Sequence, residues 1–248
     1  MARLVERYRE APHECPYLPD EIASLDVRLM LDVMPHELAD LLELGWRRFG
    51  PAYFRPSCPT CTACLSVRIV VPEFIPTRSQ KRARRGAARL ERTVTTPVVD
   101  DEHLSLYERW HQQRETQRGG SENPLDAERY PFDFAFPHPS VREIAYRDPA
   151  QDNRLVGVGL VDVVPDALSA IYFFWDPDNA PPSLGVAHIV GLVEDAASLG
   201  MNHVYLGYRV DACPSLAYKA RYQPQEILEG KPTGTAPAIW RMEPRGTE

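Results

Sequence analysis

Residues 141–175 read VREIAYRDPAQDNRLVGVGLVDVVPDALSAIYFFW, and this stretch decides the fold. Three runs rich in β-branched and aromatic residues, Val141–Arg147, Leu155–Val164 and Ala167–Trp175, are parted by Asp148-Pro149 and Pro165-Asp166. Runs of this kind bounded by turn residues are strands, and such short connections make neighbours antiparallel. Downstream, Leu184–Leu199 is amphipathic and stops at Gly200, as a helix does. His203–Tyr208 is predicted to be a strand and Pro214–Tyr222 a short helix, with brief strands near Glu226–Leu228 and Ala238–Arg241. Three strands, a helix, a strand, a helix and closing strands predict an α+β fold.

Upstream, Leu65–Phe74 alternates, with Val67, Ile69 and Val71 on one face, and reads as a strand. From His36 to Phe49 apolar residues recur at helical spacing, and residues 100–118 give a second helix with Leu104, Tyr107 and Trp110 inward. Residues 12–24, with Pro12, Pro16 and Pro19, are expected to be an irregular loop. Residues 119–140, rich in Gly, Pro and aromatics, are expected to be a structured loop. These elements divide into a cysteine-bearing region over 1–75, a basic connector over 76–100 and a C-terminal region over 101–248.

The chain has 248 residues, 44% hydrophobic and 25% charged, which excludes wholesale disorder and coiled coils. No apolar run approaches the roughly 20 residues of a membrane-spanning helix, and the first ten residues have no signal core, so a cytoplasmic protein without membrane partners is expected. The net charge is −7, yet Arg78–Arg92 carries +6, so the remainder carries −13. On a helix, Arg78, Arg82, Arg85, Arg89 and Arg92 span an arc of about 80°. With Lys81 and almost no interleaved acid, this stripe suits the phosphates of a polyanion; a solvated face is the plainer alternative.

Three of the five cysteines stand in Cys58-Pro-Thr-Cys61-Thr-Ala-Cys64, with Cys15 upstream and Cys213 far downstream. Two-residue gaps let thiolates converge on one ion, and Cys15 would complete four ligands for zinc or an iron–sulfur cluster. The alternative is that they are small buried residues or free thiols.

Several blocks together resemble the arginyl-tRNA–protein transferase family, and more closely its short bacterial branch, the aspartate/glutamate leucyltransferases. They are Cys15-Pro-Tyr-Leu-Pro19, Gly45-Trp-Arg-Arg-Phe-Gly50 through Tyr53-Phe-Arg-Pro-Ser-Cys58 to Val67-Arg68, and Pro76-Thr-Arg-Ser-Gln-Lys-Arg82. Further on stand Asp162 to Tyr172, Trp175-Asp-Pro-Asp178, Ser183-Leu-Gly185, Tyr205-Leu-Gly-Tyr208 and Cys213 to Tyr222. The resemblance covers roughly Glu14 to Leu228. It implies an acetyltransferase-like (GNAT-type) α+β fold and transfer of an amino acid, leucine rather than arginine, from charged tRNA to an N-terminal Asp or Glu. It also implies a place in the N-degron route, with leucyl-tRNA and such proteins as partners, no DNA, and no cofactor needed for the chemistry.

An acyl-CoA acetyltransferase of this fold is the alternative. It needs an Arg/Gln-x-x-Gly-x-Gly/Ala turn whose N–H groups bind pyrophosphate. Here Pro182-Ser-Leu-Gly185-Val-Ala187 keeps the small residues but replaces the first with Pro. Ser183 and Gly185 are therefore candidate donor-site residues, or else a plain N-cap and a packing glycine. Ester aminolysis needs an oriented amine, an oxyanion donor and a proton for the leaving hydroxyl. Asp176, Tyr208 and Tyr218 are the catalytic candidates. Arg55, Arg68, Lys219 and Arg221 are the candidate cations for the acceptor's carboxylate, with the last two also suited to the tRNA end.

Overall fold

The strands expected between 141 and 208 form, and burial explains their composition. The computed structural model describes residues 1–118, 129–233 and 237–243. In chain order the first half holds β1 (Arg3–Arg9), β2 (His13–Glu14), β3 (Ile22–Ala23), β4 (Leu25–Leu31), α1 (Pro35–Glu43), β5 (Arg47–Phe49), β6 (Ala52–Pro56), β7 (Leu65–Val70), α2 (Arg78–Gly86) and β8 (Glu91–Thr95). The second half holds α3 (Asp101–Arg118), α4 (Tyr130–Phe134), β9 (Val141–Asp148), β10 (Arg154–Val164), β11 (Ala167–Trp175), α5 (Leu184–Ser198), β12 (His203–Arg209), α6 (Pro214–Ala217), β13 (Gln225–Leu228) and β14 (Trp240–Met242). Residues 119–128 of the Gly- and Pro-rich loop lie outside the described residues.

Eight strands form one mixed sheet in the order β14-β13-β7-β12-β11-β10-β9-β8. β10 is buried from Leu155 to Asp162, the continuous apolar run of a strand covered on both faces. Leu184, Val190 and Leu192 of α5 join Val156, Leu168 and Val204 in one core. On the other face, Leu106 and Trp110 of α3 pack with Tyr130, Phe134, Val158 and Phe174. The fold is thus mixed α and β around a large, mostly antiparallel sheet.

The expected boundary at residue 75 is not a seam. β7 lies inside the large sheet, pairing with β12 along Leu65–Val70 and with β13 at Val67–Ile69. The expected 12–24 loop contains β2 and β3, and a second sheet, β1-β4-β6-β5, holds the N-terminal residues. β1 is exposed at every position and its residues, RLVERYR, follow no apolar alternation, so it left no pattern to read. The helix expected over 36–49 ends at Glu43, because Gly45 turns the chain at φ +81° into β5. Arg48 of β5 and Asp162 of β10 form a fully buried ion pair, Nε to Oδ2 2.9 Å, joining the two sheets.

The basic helix is also shorter than expected. α2 starts on a Thr77–Gln80 capping box and ends at Gly86. Ala87 and Leu90 then turn inward, and Arg92 falls on β8, so the five-arginine stripe is not one helix face.

Candidate active site

Among the described residues β11 and β12 are the sheet's one parallel pair, and they stay paired only from Ala167–Ser169 to His203–Tyr205. Beyond those residues they part. The opening is a cavity of about 780 Å³ walled by Tyr172, Phe173 and Trp175 of β11, Ser183 to Ile189 at the start of α5, and Tyr218, Lys219 and Tyr222 after α6. Tyr17, from the first cysteine-bearing block, also lines it.

Ser183, Val186 and Tyr222 also line a second, larger groove of about 1370 Å³, with Gln80, Arg82, Arg89, Pro182 and Arg221. An aromatic, largely apolar chamber therefore lies beside a basic groove and shares the wall residues Ser183, Val186 and Tyr222 with it. Gly185, in the first turn of α5, faces the Trp175 and Phe173 rings with room for a Cβ at ordinary contact distance. Ser183 sits at φ +64° and its hydroxyl makes no capping bond, so the plain N-cap reading is replaced by a residue between the two spaces.

Lys219 stands in the chamber wall and its Nζ donates to the Tyr208 carbonyl at 2.6 Å. Burial, with Arg47 adding repulsion, pushes the Lys219 ammonium down to about 8. Tyr218 lines the same chamber, and burial raises its phenol. Arg221 lies instead on the basic groove. The chamber also holds His111, Arg114 and His188, which sequence reasoning missed. Tyr172 Oη lies 3.0 Å from His111 Nε2. Their signal was faint: His111 and Arg114 share an i,i+3 face of α3, and His188 stands in the apolar first half of α5.

Four expected site residues are committed elsewhere. Asp176 accepts from the Asp178 and Asn179 backbone and from Asn179 Nδ2, all at 3.0 Å, and binds Arg154 and Arg109. Burial alone would raise its carboxyl, but the Asn179, Asp178 and Arg154 hydrogen bonds hold it below the usual range. It is a turn-former outside the chamber lining, not a base. Tyr208 donates toward the Gly45 and Phe54 carbonyls at 2.8 and 3.2 Å, which removes it as an oxyanion donor. Arg55 covers the Trp46 ring, donates to the Pro232 carbonyl at 2.8 Å and neighbours Asp26. Arg68 is clamped by Glu43 and Glu226 at 2.6 and 2.7 Å. Both arginines are already engaged, Arg55 beside one carboxylate and Arg68 by two.

Of the basic segment, Arg78, Lys81, Arg82 and Arg85 border a shallow groove against Val190. Arg84 pairs with Glu194, Arg89 with Asp148 at 2.9 Å, and Arg92 with Asp195, so three of seven cations are neutralised within the fold. Arg82 touches both the shallow groove and the larger basic groove.

The thiols neighbour one another: burial first, then Cys58, Cys15 and Cys61, pushes Cys64 up to about 11. Among the described residues, however, no three His, Cys, Asp or Glu side chains form a group able to hold a metal ion. The expected site on Cys15, Cys58, Cys61 and Cys64 is not formed by these side chains, and no step is routed through a metal. No helix among the described residues is long and apolar enough to cross a membrane.

Residues 13–82 match the family model "Arginine-tRNA-protein transferase, N terminus", and residues 102–229 match "Arginine-tRNA-protein transferase, C terminus". Similar curated proteins are named aspartate/glutamate leucyltransferase. The one from Halorhodospira halophila is 40% identical over 220 residues, covering 88% of this chain and 92% of that one. The Pseudomonas fluorescens protein is 36% identical, covering 92% and 95%, and the Helicobacter hepaticus protein 33%, covering 97% and 98%. Among solved structures, FemX resembles the chain weakly, with 9% identity, 82% and 79% coverage and a TM-score of 0.44. Both family models match in chain order, the first reaching Arg82 inside the basic segment, and the chain belongs to the arginine-tRNA-protein transferase family.

Proposed function

We propose that the chain moves leucine from leucyl-tRNA to the α-amine of proteins beginning with Asp or Glu, in the cytoplasm, as the first mark of N-degron degradation. The names of the relatives support leucine and the acidic acceptor. The observation that carries the reading is that the chamber and the basic groove are neighbours sharing the wall residues Ser183, Val186 and Tyr222. A tRNA acceptor end needs both: cations along its phosphates, and an apolar, aromatic room for the terminal base and the leucyl side chain. The parting of β11 and β12 beside α5 also supports an acetyltransferase-type donor cleft.

Arg82 and Arg221 border the phosphate path, with Arg78, Lys81 and Arg85 extending it. Tyr172, Phe173 and Trp175 form the apolar wall for the aminoacyl group. Lys219 and Arg114 are cations of the chamber wall, and Lys219 is suited to the acceptor's carboxylate. The acceptor amine has an ordinary pKa of about 7.7–8.0, so a useful fraction is neutral at pH 7 and orientation replaces a strong base. Its nitrogen attacks the ester carbon, and collapse breaks the bond to the ribose oxygen, which takes the amine's proton and leaves as the hydroxyl.

The test is a transfer assay with leucyl-, arginyl- and phenylalanyl-tRNA against peptides beginning Asp, Glu, Lys or Arg. Transfer of leucine to the first two supports the proposal. Preference for arginyl-tRNA would change the donor, and acetyl-CoA-dependent labelling without tRNA would replace the reading.

A further inference from the structure

The N-terminal sheet carries a cluster of arginines that the transfer site does not use. In register, Arg7 of β1 lies directly opposite Arg28 of β4. Arg9 lies opposite Asp26, which in turn faces Arg55 of β6. Opposed residues, and residues two apart on a strand, share a face. Arg7, Arg9, Arg28 and Arg55 therefore stand on one face, with Asp26 the one acid among these positions. Arg3, the remaining arginine of β1, has its own partner in Asp32 at 3.6 Å.

One carboxylate does not balance four guanidinia. Asp26 accepts from Arg7 Nε and Nη2 at 3.4 and 3.3 Å and lies 3.9 Å from Arg55 Nε. Arg28 lies instead over the Trp46 ring at 4.1 Å, beside Arg55 at 4.7 Å. Burial first, then Arg7, pulls its guanidinium below the ordinary arginine range, with Arg55 adding to this and Asp26 opposing it. Like charges directly opposite each other destabilise a strand pair, and a fold keeps such a conflict where function needs it. β1 is the edge of its sheet and is exposed at every position, so Arg7 and Arg9 are open to a ligand. Outside Arg78–Arg92 the chain carries −13, and this local excess of cations runs against that background.

We propose that this face is a second tRNA-binding surface, on which Arg7, Arg9 and Arg28 contact backbone phosphates away from the acceptor end. It rests on the transferase reading above, which makes tRNA the donor. An acceptor's single carboxylate is satisfied by one bidentate arginine. Guanidinia spread along one strand and across to the next, about 4.7–4.9 Å away, suit a row of phosphates instead. Trp46 supports Arg28 from beneath and Asp26 orients Arg7, so both cations are placed before the ligand arrives. Contacts of this kind give affinity and orientation and leave the carried amino acid unread.

The experiment measures binding of a leucine-accepting tRNA transcript to the full-length protein by filter retention over a salt series. Arg9→Glu with Arg28→Gln should weaken binding and flatten the log–log salt slope by roughly 0.7–0.9 per lost contact. Arg3→Glu, a charge reversal on the same strand at a residue already matched by Asp32, should change the slope far less. Transfer from leucyl-adenosine, a donor without the tRNA body, should keep its rate and its acceptor KM. If the Arg28 variant does not fold, Arg7→Glu with Arg9→Glu replaces it, since both side chains are on the exposed strand. An unchanged slope overturns the inference, and so does an equal loss in the Arg3 variant or with leucyl-adenosine. A raised acceptor KM with tRNA binding intact also overturns it and gives the face to the acidic acceptor. A wild-type protein that binds tRNA with the expected slope yet transfers no leucine defeats the transferase reading and leaves the surface standing.

Discussion

Lys219 makes the pH profile of transfer a sharp test. Its ammonium is held near 8 by burial and by Arg47, well below an ordinary lysine. The acceptor's carboxylate is ionised throughout the working range, so the pair exists below pH 8 and is lost as pH rises through it. The acceptor amine behaves oppositely, gaining its neutral form up to about 7.7–8.0. The product of the two gives kcat/KM for an Asp-starting peptide a maximum near pH 8, falling toward tenfold per unit on each side. Lys219→Arg keeps the charge and should erase the alkaline limb alone. Lys219→Met should lower kcat/KM below pH 8 by about 10- to 150-fold, the loss of a charge-assisted pair of about 1.5–3 kcal/mol. The loss should lie in the acceptor KM, with leucyl-tRNA binding intact. An alkaline limb that persists in Lys219→Arg, or a Met variant that loses donor affinity equally, refutes the assignment.

Arg82→Glu with Arg85→Glu should flatten the salt dependence of tRNA binding by roughly 0.7–0.9 per lost phosphate contact on a log–log plot. Arg89→Glu should weaken it far less, because Asp148 already neutralises that arginine; filter binding across a salt series separates them. Asp176→Asn should lower the melting temperature, since the carboxylate bonds of a buried turn are weakened, while kcat of the folded enzyme is retained. Loss of kcat at unchanged stability would return Asp176 to the chemistry. Arg48→Met should destabilise by about 3–5 kcal/mol by stranding buried Asp162, and adding Asp162→Leu should restore most of it in a urea titration.

The large sheet was legible because β9, β10, β11 and β12 are long, apolar and separated by Pro, Asp and Gly, so burial wrote itself into composition. β1 was not, since an exposed edge strand carries no apolar period. Residue type marked Lys219 and Tyr218, on the short helix expected over Pro214–Tyr222, as a cation and a phenol, and the fold puts both in the chamber wall. Arg55, Arg68 and Tyr208 misled because chemistry-bearing side chains also close buried networks. Only their partners, Asp26, Glu43, Glu226 and the Gly45 carbonyl, reveal that use, and those lie up to 163 residues away. His188 was hidden for the converse reason: its neighbours Gly159 and Tyr146 come from two other strands.

β7 reaches the centre of the sheet from the N-terminal third, and its two neighbours come from residues 203–209 and 225–227. During synthesis the strand must wait, unpaired and apolar, until almost the whole chain has left the ribosome. Contacts between such distant residues slow folding and leave an exposed edge open to aggregation. A fragment that starts after residue 75 would lack the strand between β12 and β13, and β12 borders the donor chamber through Leu206. The chamber is therefore among the last features to be assembled, and the enzyme acquires its activity only when both ends of the chain have met.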